Sequence, residues 1–382
     1  MVKSAARLCL IGMMVVILLA ASVGAAEITY RLDSSDSPTN AWEALRDGLP
    51  EELRDELDGV DLDDPAAAAR AVGEKADMRF WADRIGDALR GAVDALLPTL
   101  APLVPLILLS AAAEAAIPAF SPGLTAAFSN FTRLLTALTV FRTAFGVLEA
   151  AEAHLGQLCS FMNLMTPVMQ AAYLAEGSLT QASLASSSLM LAVTVLADAN
   201  TYLLTPVIRA LLTLSAAAMV CPEVKFTGLV AAVRKLALRL WALMTLFFSF
   251  FLGSQTVLAK SADDLAAKTA KFALGSFVPM AGGLLSEAFG TVRAGMRLLR
   301  MTAGIGGILV LLLLLLPGIV PLAVYRLMLS LAGTAAELLG LSGTAALLAE
   351  VRGIAELLTA AVLGTGLLFL LAVMLFAGGS GA

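Results

Sequence analysis

Residues 271–300 read KFALGSFVPMAGGLLSEAFGTVRAGMRLLR, and this stretch decides what kind of chain the sequence describes. It is apolar enough to enter a bilayer, yet it carries Gly275, Pro279, Gly282, Gly283, Glu287 and Gly290, and it closes on Arg293, Arg297 and Arg300. A plain spanning helix has no use for those residues. Lipid cannot satisfy freed backbone N–H and C=O groups, so interrupted backbone at membrane depth is tolerated only inside protein or beside a wet cavity. The expectation is a segment held within an assembly, with Gly275, Pro279 and Glu287 as candidate pore or packing residues.

Composition extends that reading to the whole chain. Of 382 residues, 59% are hydrophobic and 14% charged, and the mean hydropathy is +0.88. Soluble domains carry about 25% charged residues, so the solvent of most of this chain is lipid. The net charge is −5 and no basic patch is interleaved with aromatics, which excludes nucleic acid as a partner. Residues 27–92 hold 17 acidic against 8 basic side chains, whereas residues 93–382 hold 13 against 15. An acidic, water-exposed segment is thereby set off from a membrane domain. Three cysteines give no disulfide framework, and the lone His154 has no second ligand at metal-binding spacing, so no cofactor or metal is expected.

In chain order, Lys3 and Arg7 precede the apolar run 8–21, and Gly24, Ala25 and Ala26 follow it: the pattern of an export signal over residues 1–26, with an uncleaved anchor as the alternative. Either way the segment 27–92 is expected outside the cytoplasm. Its Trp42, Leu45, Leu49, Leu53 and Leu57 recur at three- and four-residue steps, predicting short amphipathic helices. The polytopic domain, residues 93–378, opens with spans near 96–117 and 124–148, followed by an acidic turn at 149–152. An apolar tract then runs from Leu184 to Val220, longer than the ~20 residues a span needs. It is either one kinked helix or two pieces broken near Asn200–Pro206, and Asp198, Pro206 and Arg209 within it are candidate pore residues. Lys225, Arg234, Lys235 and Arg239 form the strongest basic cluster and are expected in the cytoplasm. Further spans follow near 240–259, 301–325 (with Pro317) and 354–376.

Segment 161–176, FMNLMTPVMQAAYLAE, and segment 272–287, FALGSFVPMAGGLLSE, place Phe, Pro and Glu at matching positions within one residue. A repeat of 155–258 in 266–378 would pair Pro167 with Pro279, in the manner of transporters whose interrupted helices line a central path. Re-entrant Pro segments would make the halves parallel and spanning ones would make them inverted. Arg293, Arg297 and Arg300 favour the cytoplasm and hence a crossing by the second segment. The count is six to eight spans. Metal-protease, nucleophile-elbow, phosphate-loop and CxxC motifs are absent from the sequence, so an enzyme is not expected.

The stretch KFALGSFVPMAGGLLSEAFGTVRAG, the hydrophobic run broken at Pro317 and the earlier FMNLMTPVM resemble the stage III sporulation protein AE family of endospore-forming bacteria. The resemblance implies an all-α, polytopic helical membrane protein with a small extracytoplasmic N-terminal helical segment. It also implies a place in the mother-cell membrane around the forespore, among the other proteins of a channel or secretion-like complex. The alternative from the residues alone is an autonomous small-solute or ion permease using Asp198, Arg209 and Glu287.

Overall fold

The computed structural model of the protein describes residues 38–54, 70, 78–116, 122–220, 227–277 and 282–378. The expected signal at 1–26, Pro279 and the most acidic stretch, 55–64, lie outside them. Among the described residues every regular element is a helix: α1 Pro38–Asp47, α2 Glu51–Arg54, α3 Met78–Leu100, α4 Leu103–Ala116, α5 Pro122–Ala175, α6 Leu179–Asp198, α7 Thr205–Val220, α8 Thr227–Phe277, α9 Gly282–Leu338 and α10 Ser342–Gly378. A six-residue π-helix, Ala199–Leu204, joins α6 to α7 without a break. Six helical stretches are long and apolar enough to cross a membrane: Met78–Ala113, Phe131–Ala175, Leu179–Ala217, Gly228–Thr269, Ala294–Leu338 and Ser342–Gly378.

Side-chain contacts fix the directions of the helices. Trp241 near the start of α8 donates from its indole N–H to the carbonyl of Ala360 in α10 at 3.1 Å, and Arg234 packs against Gly353, so α8 and α10 run parallel. Gly304 faces Ala377 and Gly366 faces Leu315, so α9 and α10 are antiparallel. His154 against Gly318 and Met165 against Gly307 make α5 antiparallel to α9. The course is therefore α5 one way, α6–π–α7 back, α8 forward, α9 back and α10 forward. Segments 155–258 and 266–378 follow the same course: the end of one helix, a reversal, a return helix and a forward helix.

Three expectations are corrected by this arrangement. The acidic turn at Glu149–Glu152 is the interior of α5. Ala and Glu are strong helix formers, and Val147, Leu148, Ala151 and Leu155 keep one face of the helix buried through that stretch. Without Gly or Pro in a turn-forming role, charge alone does not end a helix. The stretch 271–300 is the reversal between antiparallel α8 and α9 rather than a crossing of its own. Consequently Arg300 and the basic cluster at Arg234 lie at opposite ends of the bundle rather than together, because α8 runs the length of the bundle between them. A short turn at Leu339–Leu341, where Gly340 takes φ +78°, separates α9 from α10.

Helices α5, α8 and α9 have 54, 51 and 57 residues. At ~1.5 Å per residue each is about 80 Å long, against a hydrocarbon core of about 30 Å. They therefore continue well past the apolar level. Helix α1 lies on the half of the bundle nearer the end of α8 and the start of α9, beside Leu164 and Gly306. Trp42, Leu45 and Leu49 are buried, with the Trp42 ring against Gly306 and Leu164 against Gly48. The amphipathic pattern of the N-terminal segment is thus a docking face.

The core at the apolar level is mainly hydrocarbon: Phe161, Met165, Val310, Leu311, Phe369 and Val373 are all buried, with His154, Thr359 and Thr365 among the buried polar side chains. Close approach of α9 and α10 depends on Gly304, where an added Cβ would sit 2.5 Å from Ala377 Cβ and 2.9 Å from its Cα. Backbone cannot yield as a flexible side chain does. Gly304→Val is expected to destabilise the chain by about 1–3 kcal/mol in detergent-driven unfolding. Gly253→Ala, whose Cβ meets nothing within 4 Å, is expected to be neutral or mildly stabilising.

Candidate functional site

Two groups of polar residues stand in or at the edge of the apolar level. The first is built where α5 ends. Glu176 follows Ala175, and Gly177 takes φ +79°, a left-handed conformation that glycine adopts without strain. Ser178 N–H then donates to the Tyr173 carbonyl and Gly177 N–H to the Leu174 carbonyl, both at 2.9 Å, which closes the helix in a Schellman motif. That turn directs Glu176 inward, where one of its carboxylate oxygens lies 2.8 Å from Arg300 Nη1 of α9. Arg300 is fully buried and Glu176 is 6% exposed. The Arg300 guanidinium also lies over the Tyr173 ring, 5.0 Å from its centroid, and Tyr173 meets Phe376 of α10 edge-on at 5.3 Å.

Asp263 of α8 completes this node. Helix α6 begins after Ser178, which makes no side-chain cap bond. Instead the Asp263 carboxylate accepts from Thr180 N–H at 3.0 Å and from Gln181 N–H at 2.7 Å. A residue more than eighty positions away thus caps α6, satisfying donors that a helix start leaves open and placing negative charge at the positive end of the helix dipole. Buried charges persist only when paired and hydrogen-bonded, and here one cation and two anions are held by four helices. Beside the node a small cleft is lined by Tyr173, Gln181, Ser188, Gln255, Thr256 and Ala259.

The second group surrounds the π-helix. Thr205 N–H donates to the Asn200 carbonyl, five residues back, and the extra residue in the turn rotates α7 relative to α6. Asn200 is 6% exposed and neither amide atom has a hydrogen-bond partner among the described residues. Asp198, Thr201 and Pro206 are exposed on the outer side. Arg209 is also outward and is bound to Glu152 of α5 at 3.0 and 3.4 Å.

Among the residues singled out in the sequence, Asp198, Pro206 and Arg209 come together around the π-helix, and half-buried Pro167 lies on the neighbouring α5. Pro317 is exposed on α9. Gly275 lies near the end of α8 and Glu287 near the start of α9, at the far reversal; Glu287 is thirteen residues, about 20 Å by helical rise, beyond Arg300. Asp263 and Asn200 were not expected as functional positions, and Arg300 was expected in solvent. Gly177 just past an apolar helix was a readable stop signal. Nothing local marks Asp263 as the cap of α6.

The family model described as stage III sporulation protein AE (spore_III_AE) matches residues 68–380. No curated protein and no solved structure matches the chain.

Proposed function

Because the chain belongs to the stage III sporulation protein AE family, we propose that it acts in endospore formation as an integral membrane component of a channel or secretion-like complex linking mother cell and forespore. One observation carries this reading over that of a self-sufficient permease. The centre of the bundle is packed mainly with apolar side chains, while Asp198 and Thr201 are exposed on its outer side. Ionisable groups within spans face protein or water rather than lipid; Arg209 is met by Glu152 of the same chain, so it is Asp198 that we read as covered by another chain. The role is structural or conductive within the assembly rather than enzymatic.

Orientation follows from charge. Arg133, Arg234, Lys235, Arg239 and Arg352 gather at the end of the bundle opposite α1. Lys and Arg favour the cytoplasmic side, so this cluster supports reading the N-terminal segment as outside; the family supports the reading that the membrane is that of the mother cell around the forespore and the outer space that between the two membranes. Tagged protein taken in mild detergent from sporulating cells is expected to bring down other membrane proteins of the complex, and Asp198→Asn to reduce that recovery. Recovery of the chain alone, with sporulation intact in the Asp198→Asn strain, would overturn the reading.

A further inference from the structure

We propose that the outer face formed by α5 and the α6–α7 rod is the seam on which a second copy of this chain packs, each copy laying its α5 against the other's α6–α7. The proposal rests on the reading above, that the outward polar groups are covered inside an assembly, and it names what covers them.

The outer surface of the bundle is not uniform. On α8 the exposed residues at the apolar level are Leu243, Leu246, Phe247, Phe250, Val257 and Leu258, as lipid requires. On α5 no large apolar side chain is exposed between Leu138 and Leu174. The exposed positions there are Arg142, Gly146, Glu149, Ala150, Ala153, Gly156, Gln157, Ser160 and Asn163, and Gly146, Glu149, Ala153, Gly156, Ser160 and Asn163 among them are spaced by alternating steps of three and four. They lie on one face of a helix. On the α6–π–α7 rod Ser183, Ser187, Thr194, Asp198 and Thr201 are outward, together with the larger Leu179, Met190, Tyr202 and Leu203. The ion pair of Glu152 with Arg209 shows that the two faces border one another. Pro167 adds a further unmet group, since it has no N–H to give to the carbonyl of Asn163 four residues back.

Small residues in such a stripe permit close helix approach in a membrane, and Ser, Asn and Asp supply interhelical hydrogen bonds. A Cβ added at Gly146 or Gly156 meets nothing within 4 Å among the described residues, which leaves space for a neighbour.

The occupant is identified by complementarity at equal depth. Because α5 and α6–α7 are antiparallel, moving eleven residues along each from the Glu152–Arg209 contact brings Asn163 and Asp198 level. Both are exposed, and neither has a partner among the described residues. Across a two-fold axis along the membrane normal, the Asn163 amide of one copy meets the Asp198 carboxylate of the other. Glu149 likewise lies near the level of the other copy's Arg209, which is half exposed in its pair with Glu152. Each copy carries both members of both pairs, as an isologous interface demands.

The test uses full-length chains in which Cys9, Cys159 and Cys221 are replaced by Ala. One tagged version carries Asn163→Cys, a second with a different tag carries Asp198→Cys, and the two are coexpressed and oxidised in the membrane. A disulfide-linked species bearing both tags is expected, and a two-chain mass in nanodiscs for the unmodified protein. Gly156→Leu, which touches nothing in its own chain, is expected to cut that cross-link at least tenfold while leaving helix content unchanged, and Leu246→Cys on the lipid face is expected to form none. The proposal is overturned if the Asn163→Cys and Asp198→Cys chains do not link. It is equally overturned if those cysteines react with a water-borne maleimide, as the wall of an aqueous path would, or if they link only to a different protein. Failure here alongside intact recovery of other complex members counts against self-association alone and leaves the complex reading standing.

Discussion

Arg300→Leu is expected to lower the stability of the folded bundle by about 3–5 kcal/mol, the largest effect of any single substitution considered. The cost comes from what remains rather than from what is lost. Glu176 stays 6% exposed at the end of α5, held there by the Gly177 turn, with its countercharge gone. Titration with denaturing detergent, followed by the loss of helical circular dichroism, reads the change. The double variant Glu176→Gln with Arg300→Leu removes both charges and is expected to recover most of the loss, since a buried ion pair replaced by uncharged groups is often neutral. If the double variant were as unstable as the single one, the pair itself, and not the orphaned carboxylate, would be what holds α5 to α9.

Asp263→Ala is expected to cost about 2–4 kcal/mol: two backbone donors lose hydrogen bonds to a charged acceptor, each worth about 1.5–3 kcal/mol, and water reaching the opened helix start offsets part of that sum, as the smaller measured cost of losing a helix cap shows. The effect is local in a way that distinguishes it from the first. Thr180 and Gln181 N–H groups are left open at the start of α6, so amide exchange is expected to rise over residues 179–184 while α9 and α10 stay protected. Asp263→Asn keeps one acceptor oxygen and is expected to fall between the wild type and Asp263→Ala. Equal exchange at 179–184 in all three proteins would show that Ser178 or water caps the helix instead.

The node ties α5, α6, α8 and α9 together where the Gly177 turn, the start of α6, Asp263 of α8 and Arg300 of α9 meet.

Some of the arrangement was legible in residue order. Trp42, Leu45 and Leu49 at helical spacing announced an amphipathic helix, and the structure supplies the surface it was made for. The tract 184–220, too long for one span, is a single rod distorted at Ala199–Leu204, where Asn200 and Pro206 had pointed to an interruption. The misreadings share a cause. Glu149–Glu152 and the arginines after Glu287 were taken as markers of water because charge is costly in lipid, whereas Arg300 is fully buried beside a carboxylate from another helix. Sequence reveals a charge but not its partner when the two lie more than a hundred residues apart.

The sequence by itself determined the solvent of this protein and its class. Hydropathy is a sum over residues and needs no geometry, and runs of apolar residues that long have only helices open to them in lipid. Its turn residues, Gly177 and Gly340, and the family to which it belongs were equally written in residue order. Only the tertiary structure decided which charges face each other and which face outward. Whether Glu176, Asp263 and Arg300 face one another inside the bundle, while Asp198 and Asn163 are exposed on its outer side, depends on rotation about helix axes and on the depth at which antiparallel helices pass. Those quantities are fixed by packing contacts such as Gly304 on Ala377 and Gly307 on Met165, which no local pattern encodes.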